Sequence, residues 1–83
     1  MKMDQRICRL LSENAHLAVD PSCLADDADL YRAGMSSLST VNLMTALEEE
    51  FCIEFPDDML KPGTFQSVAS IRSALRQLTS EGS

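Results

Sequence analysis

The sequence predicts an all-α chain folded as a small four-helix bundle, with three main helices, one short helix and a long first loop. Three observations carry that expectation. The 83 residues are 45% hydrophobic but only 5% aromatic, with no Trp, and their Leu, Met, Ala and Glu favour helices over strands. Apolar residues recur at helical spacing in separate stretches, and Pro-containing segments break those stretches apart. A chain of this length is read as one domain, residues 1–83, burying roughly 60–65% of its unfolded surface, so every apolar face has to be shared.

Ile7, Leu10, Leu11 and Ala15 draw one stripe on a first helix from about Asp4 to His16, with Asp4 placed to cap its start. Asp20-Pro21 then breaks the pattern. From Ala18 to Ser36 the chain shows no sustained periodicity, only the scattered anchors Val19, Leu24, Leu30 and Tyr31. A loop of more than about 15 residues is either functional or packed on itself, and this one delivers the chain to a serine pair. The second helix is expected over Ser37–Phe51, where Leu38, Val41, Leu43, Met44, Leu47 and Phe51 cover more than one narrow stripe. Such a helix should contact neighbours on two sides. Phe55-Pro56-Asp57-Asp58 reads as a short helix start, with Pro in the first turn and carboxylates at the positive end of the dipole, and Lys61-Pro62-Gly63 stops it. Thr64 is the expected N-cap of a last helix carrying Val68, Ile71, Leu75 and Leu78, with a polar tail from Thr79 onward.

Net charge is −6 and the pI about 4.5, so a phosphate backbone would be repelled, and no basic stripe exists to overcome this. Nucleic acid is excluded as a partner on that ground. An anionic membrane is disfavoured by the same charge, and no run has the length of a spanning segment or a signal-peptide core. The expectation is a cytoplasmic monomer steered toward basic patches on protein partners. Cys8, Cys23 and Cys52 match neither a zinc pattern nor a disulfide framework and are read as reduced thiols, Cys8 and Cys52 packing as small hydrophobes.

Gly34-Met35-Ser36-Ser37-Leu38 concentrates the functional signal. Ser36 follows a glycine turn and precedes the apolar-periodic run, which is the N-cap position, where its side-chain oxygen accepts an N–H of the first turn. Ser37, at the first helical position, keeps its hydroxyl free. A phosphate esterified there would face unpaired N–H groups and the positive end of the helix dipole, so Ser37 is a phosphoester site by its own chemistry. A serine hydrolase is rejected: the second glycine of a nucleophile elbow is missing, no strand precedes the serine, and the one histidine, His16, belongs to the first helix. A calcium loop built on Asp26, Asp27 and Asp29 also fails, because each register leaves residues such as Tyr31, Ala33, Leu38 or Thr40 at ligand positions. Those aspartates read as turn caps. Glu48, Glu49 and Glu50 form either a solvated face or a docking site for a partner, since three acids near a helix C-terminus oppose its dipole. Met35 reads as core, with a soft contact to whatever hangs from Ser37 as a secondary role.

Leu30-Tyr31-Arg32-Ala33-Gly34-Met35-Ser36-Ser37-Leu38, then Val41, Leu43, Ala46-Leu47-Glu48-Glu49-Glu50-Phe51 and Ile53-Glu54-Phe55-Pro56-Asp57 closely resemble the acyl carrier protein family, over essentially the whole chain. The resemblance implies a non-catalytic carrier whose motif serine receives 4′-phosphopantetheine from coenzyme A through a phosphopantetheinyl transferase. In the family that serine immediately precedes the leucine, which selects Ser37, in agreement with the capping argument. It implies further that the arm's thiol carries acyl or aminoacyl thioesters between a loading ligase and downstream transferases, with a docking set at Met35, Leu38, Asn42, Glu48 and Glu49. The chain departs from the family pattern where acidic residues are usual, at Ser36, Ser39 and Asn42, which points to a dedicated partner. Gly-Met-Ser-Ser-Leu and Phe-Pro-Asp-Asp-Met-Leu are also similar to single-domain carriers loaded with amino acids by truncated relatives of seryl-tRNA synthetases. The competing expectation of another class is an unmodified helical adaptor.

Overall fold

The computed structural model describes residues 3–15, 17, 20, 21 and 24–81. Among these residues three α-helices make up the frame: α1 (Met3–Asn14), α2 (Ser37–Phe51) and α3 (Val68–Glu81). Where the sequence predicts a short fourth helix, the chain forms two 3-10 turns, Asp57–Met59 and Pro62–Phe65. Three residues after Pro56 close one tight turn, with the Met59 N–H on the Pro56 carbonyl at 2.9 Å. Then Lys61 extends and Pro62 restarts the coil, so no α-helical register is sustained.

The stripe predicted on α1 is the buried one, with Ile7, Leu10, Leu11 and the following Ala15 all in the core. Asp4 lies inside the first turn of α1 rather than capping it. Its Oδ2 accepts from Arg72 of α3 at 2.9 Å, and the same Nη1 donates to Asp26 of the loop at 3.1 Å. One guanidinium therefore joins α1, the loop and α3, and the two carboxylates hold its pKa above the ordinary arginine value. α1 packs against both α2 and α3. A second tie fixes α1 to the end of α2. Arg6 and Arg9 both reach Glu50, each at 2.9 Å, and the Arg6 guanidinium lies 4.2 Å from the centre of the Phe51 ring.

α2 spans the predicted residues. It ends with Cys52 in the left-handed region at φ 55°, and the Glu48 carbonyl accepts both the Cys52 and the Ile53 N–H, as in a Schellman closure. α3 begins later than expected. Thr64 sits within the second 3-10 turn, its N–H on the Lys61 carbonyl at 3.1 Å, and the cap is Ser67 instead. Ser67 Oγ accepts the Ser70 N–H at 3.1 Å while Ser70 Oγ accepts the Ser67 N–H at 3.0 Å, a reciprocal capping pair. Nor does the helix stop before Thr79, whose hydroxyl donates back to the Leu75 carbonyl at 2.7 Å inside the last turns. Phe55 and Phe65, edge to face at 5.3 Å, pin the two ends of the 3-10 segment into the core. His16, Val19 and Cys23 lie outside the described residues. Among the described residues no helix is long and apolar enough to cross a membrane.

Candidate functional site

The loop that ends at Ser37 is folded by its own polar groups. Asp29 Oδ1 accepts the Tyr31 N–H at 2.9 Å, closing a local turn in the way the sequence suggests for these aspartates. Gly34 follows with φ 120°, a region closed to most side chains, and the chain then reverses so that the Met35 N–H bonds the Leu30 carbonyl at 3.1 Å. Met35, 4% exposed, is buried and anchors the turn to the core. The next residue is therefore presented at the surface in extended backbone, ready to start a helix.

That residue is Ser36, with φ −99° and ψ 172°. Its Oγ accepts the Ser39 N–H at 3.1 Å and donates to Ser39 Oγ at 3.0 Å, while its carbonyl accepts both the N–H and the hydroxyl of Thr40. Ser36 is fully engaged as a cap. Ser37 is exposed at the first helical position, and among the described residues its Oγ has no hydrogen-bond partner. No acidic residue stands in the first turn of α2, so no carboxylate of the helix's own first turn offsets the partial positive charge of its start.

Beside Ser37 opens an apolar cleft of about 440 Å³, lined from α2 by Thr40, Val41 and Met44, from the 3-10 segment by Leu60, Lys61, Pro62 and Phe65, and by Tyr31 of the loop. Leu38 is 71% exposed, Val41 52% and Leu60 45%. The two-sided packing expected of α2 is thus half fulfilled. Leu43 and Leu47 are buried in the core, whereas the Leu38 and Val41 stripe faces outward.

Of the docking set read from sequence, the fold buries Met35 and leaves three members at the surface of one helix. Leu38, Asn42 and Glu49 are exposed on α2. Glu48 is half-buried and its Oε2 accepts the Phe55 N–H at 2.9 Å, so it shapes the exit from α2. Glu50 is occupied by Arg6 and Arg9. Lys61 was legible only as part of a helix stop and Leu60 only as part of the Phe-Pro-Asp-Asp-Met-Leu segment, because nothing in their local sequence reports that the 3-10 segment folds back beside Ser37.

The chain is similar to known proteins in both sequence and fold. The family described as "Phosphopantetheine attachment site" matches residues 5–77. An aminoacyl carrier protein of Agrobacterium fabrum is 39% identical over 74 residues, covering 89% of each chain. An acyl carrier protein of Zymomonas mobilis is 38% identical over 68 residues, covering 80% of this chain and 85% of its own. Among solved structures, the carrier protein from Agrobacterium tumefaciens, crystallised with an engineered glycine:[carrier protein] ligase of Bradyrhizobium japonicum and ATP, superposes with a TM-score of 0.89 at 38% identity, over 93% of this chain and 100% of that one.

Proposed function

The chain belongs to the phosphopantetheine-attachment family of carrier proteins, and on that premise we propose that Ser37 is its attachment residue and an amino acid its cargo. The chain is a carrier and not a catalyst, in keeping with relatives that are carriers by name. The observation that carries the Ser37 assignment is the division of labour between adjacent serines. Ser36 Oγ is engaged by Ser39, whereas Ser37 Oγ is exposed and unbonded among the described residues.

The surroundings of Ser37 fit the group. A phosphodiester carries one negative charge, and the start of α2 offers N–H dipoles with no carboxylate in the first turn. The arm supplies a terminal thiol on a long tether, which holds cargo as a thioester at high effective concentration near each partner. Ser37 contributes the accepting oxygen, and a phosphopantetheinyl transferase contributes the metal and the base. The frame of α1, α2 and α3 keeps that oxygen at the surface, where the α2 dipole reaches it.

The aminoacyl reading is supported by extent of likeness. The aminoacyl relative aligns over 89% of the chain, while the acyl carrier proteins of Zymomonas mobilis and of a Bradyrhizobium align over 80% and 69%. The outward Leu38 and Val41, the exposed Asn42 and Glu49, and a first turn free of acids form the surface on which a dedicated amino-acid ligase and downstream transferases would dock.

The test has two stages. Intact mass after incubation with coenzyme A, Mg²⁺ and a promiscuous transferase should show one arm on the wild type and none on Ser37→Ala. A wild type that stays unmodified would favour the adaptor reading. Loaded protein given ATP and a panel of amino and fatty acids, with an amino-acid:carrier ligase in one arm and a fatty-acyl:carrier ligase in the other, should then gain an aminoacyl mass that hydroxylamine removes; a gain in the fatty-acyl arm alone refutes the cargo assignment.

A further inference from the structure

We infer that Lys61 is the residue of this chain that holds the phosphodiester of the arm, drawing its root into the cleft between α2 and the Pro62–Phe65 turn. The inference rests on Ser37 as the attachment residue. Both residues line the same cleft, Ser37 from α2 and Lys61 from the 3-10 segment. Every other side chain lining it is apolar, apart from the hydroxyls of Thr40 and Tyr31. Those hydroxyls are engaged: Thr40 donates to the Ser36 carbonyl at 2.8 Å, and Tyr31 to the Pro62 carbonyl at 3.4 Å. Among the described residues lining it, Lys61 is the cation of the cleft.

Its backbone is held in place there. Pro62 confines Lys61 to the extended region, observed at φ −140° and ψ 157°. The Lys61 carbonyl accepts the Thr64 N–H at 3.1 Å, and the turn is bonded to the Ser37 loop at both ends, by Tyr31 to Pro62 and by the Leu30 N–H to the Gln66 carbonyl at 2.7 Å. The lysine stem thus leaves a fixed point on the rim, extending the wall made by Leu60 and Pro62.

Its charge is also unclaimed. Arg6, Arg9, Arg32 and Arg72 each face a carboxylate, whereas Lys61, like the exposed Arg76 of α3 outside the cleft, has no ion pair among the described residues, although Asp57 and Asp58 precede Lys61 closely in sequence. In a chain of net charge −6, a lysine left free beside an attachment serine is suited to an anion that arrives after folding. An ammonium binds a phosphodiester as a point charge, tolerating the rotation of an exposed ester. An exposed pair of this kind shifts populations by up to about five-fold and weakens with salt, so the arm's root is biased toward the cleft without being locked there.

The loaded protein supplies the test, read by ¹H–¹⁵N and ³¹P spectra rather than by turnover. On loading, the amides of Leu60, Lys61 and Gly63 and the ε-methylene of Lys61 should shift, and the ³¹P resonance should move toward that of free phosphopantetheine as salt is raised. Lys61→Met, which keeps the stem and removes the charge, should lose both the loading-induced shifts and the salt response, while Lys61→Arg should restore them. Coincident apo spectra away from residues 60–64 would establish that the variants fold alike. If Lys61→Met keeps the wild-type shifts and salt response, the pairing is refuted with Ser37 intact as the site; if mass shows no arm on the wild type, both readings fall.

Discussion

Replacing Ser36 by alanine removes the oxygen that accepts the Ser39 N–H at 3.1 Å, while replacing Ser37 removes no hydrogen bond among the described residues. Adjacent serines should therefore part company in stability and in loading. Loss of an N-cap oxygen costs about 1 kcal/mol, within a range of roughly 0.5–2. The paired Ser36 and Ser39 hydroxyls are solvent-accessible, so water replaces that second bond at little cost. For a domain of 60–100 residues 1 kcal/mol corresponds to a fall in Tm of about 4–8 °C. Ser37→Ala should leave Tm unchanged or raise it slightly, alanine being the better helix former by a few tenths of a kcal/mol, on the order of 0.5. Thermal unfolding followed at 222 nm gives the first quantity and intact mass after transferase treatment gives the second. The expected pattern is Ser36→Ala less stable but loaded, and Ser37→Ala stable but bare. The reverse pattern, or equal Tm values for both variants and wild type, would refute the assignment of cap and acceptor.

Cys52→Gly should stabilise the protein by about 0.5–1 kcal/mol, since a side chain at φ 55° is strained where glycine is not and this exposed residue gives up little packing; chemical denaturation with an unchanged m-value would check it. Glu48→Ala should cost about 1–2 kcal/mol by orphaning the part-buried Phe55 N–H, and Glu48→Gln should recover most of that, because an amide oxygen can still accept the bond. Leu38→Ala should change stability by less than about 0.5 kcal/mol, being outward-facing, yet slow aminoacylation by the cognate ligase; unaltered kinetics would remove the apolar patch from recognition. Burial, aided by Asp4, Asp26 and Asp20, pushes the Cys8 thiol above its ordinary 9.0. The folded state therefore holds that proton more tightly than the unfolded one. Its contribution to stability is complete below pH 9 and is lost as pH rises through the folded-state value. In urea titrations from pH 8 to 11, Cys8→Ala should show a shallower fall than wild type across that window.

Features settled within a few turns of backbone can be read from the residues alone. The α1 stripe of Ile7, Leu10, Leu11 and Ala15, the span of α2 and the Ser36 cap were all legible, because periodicity and capping act between residues at most a few positions apart. Resemblance in the same segments was enough to name the carrier family. Errors fell where two local signals compete. Thr64 and Ser67 are both fair caps, and only the 3-10 turn locked by Pro62 and the Phe55–Phe65 contact gives the role to Ser67. Tertiary structure decided the rest. It sent Asp4 to Arg72, Glu48 to the Phe55 N–H and Glu50 to Arg6 and Arg9, and it left the Leu38 and Val41 stripe outside the core. It also brought Lys61 to the cleft beside Ser37. Partners so distant along the chain are chosen by packing, which places a charged group according to what the folded core leaves within its reach.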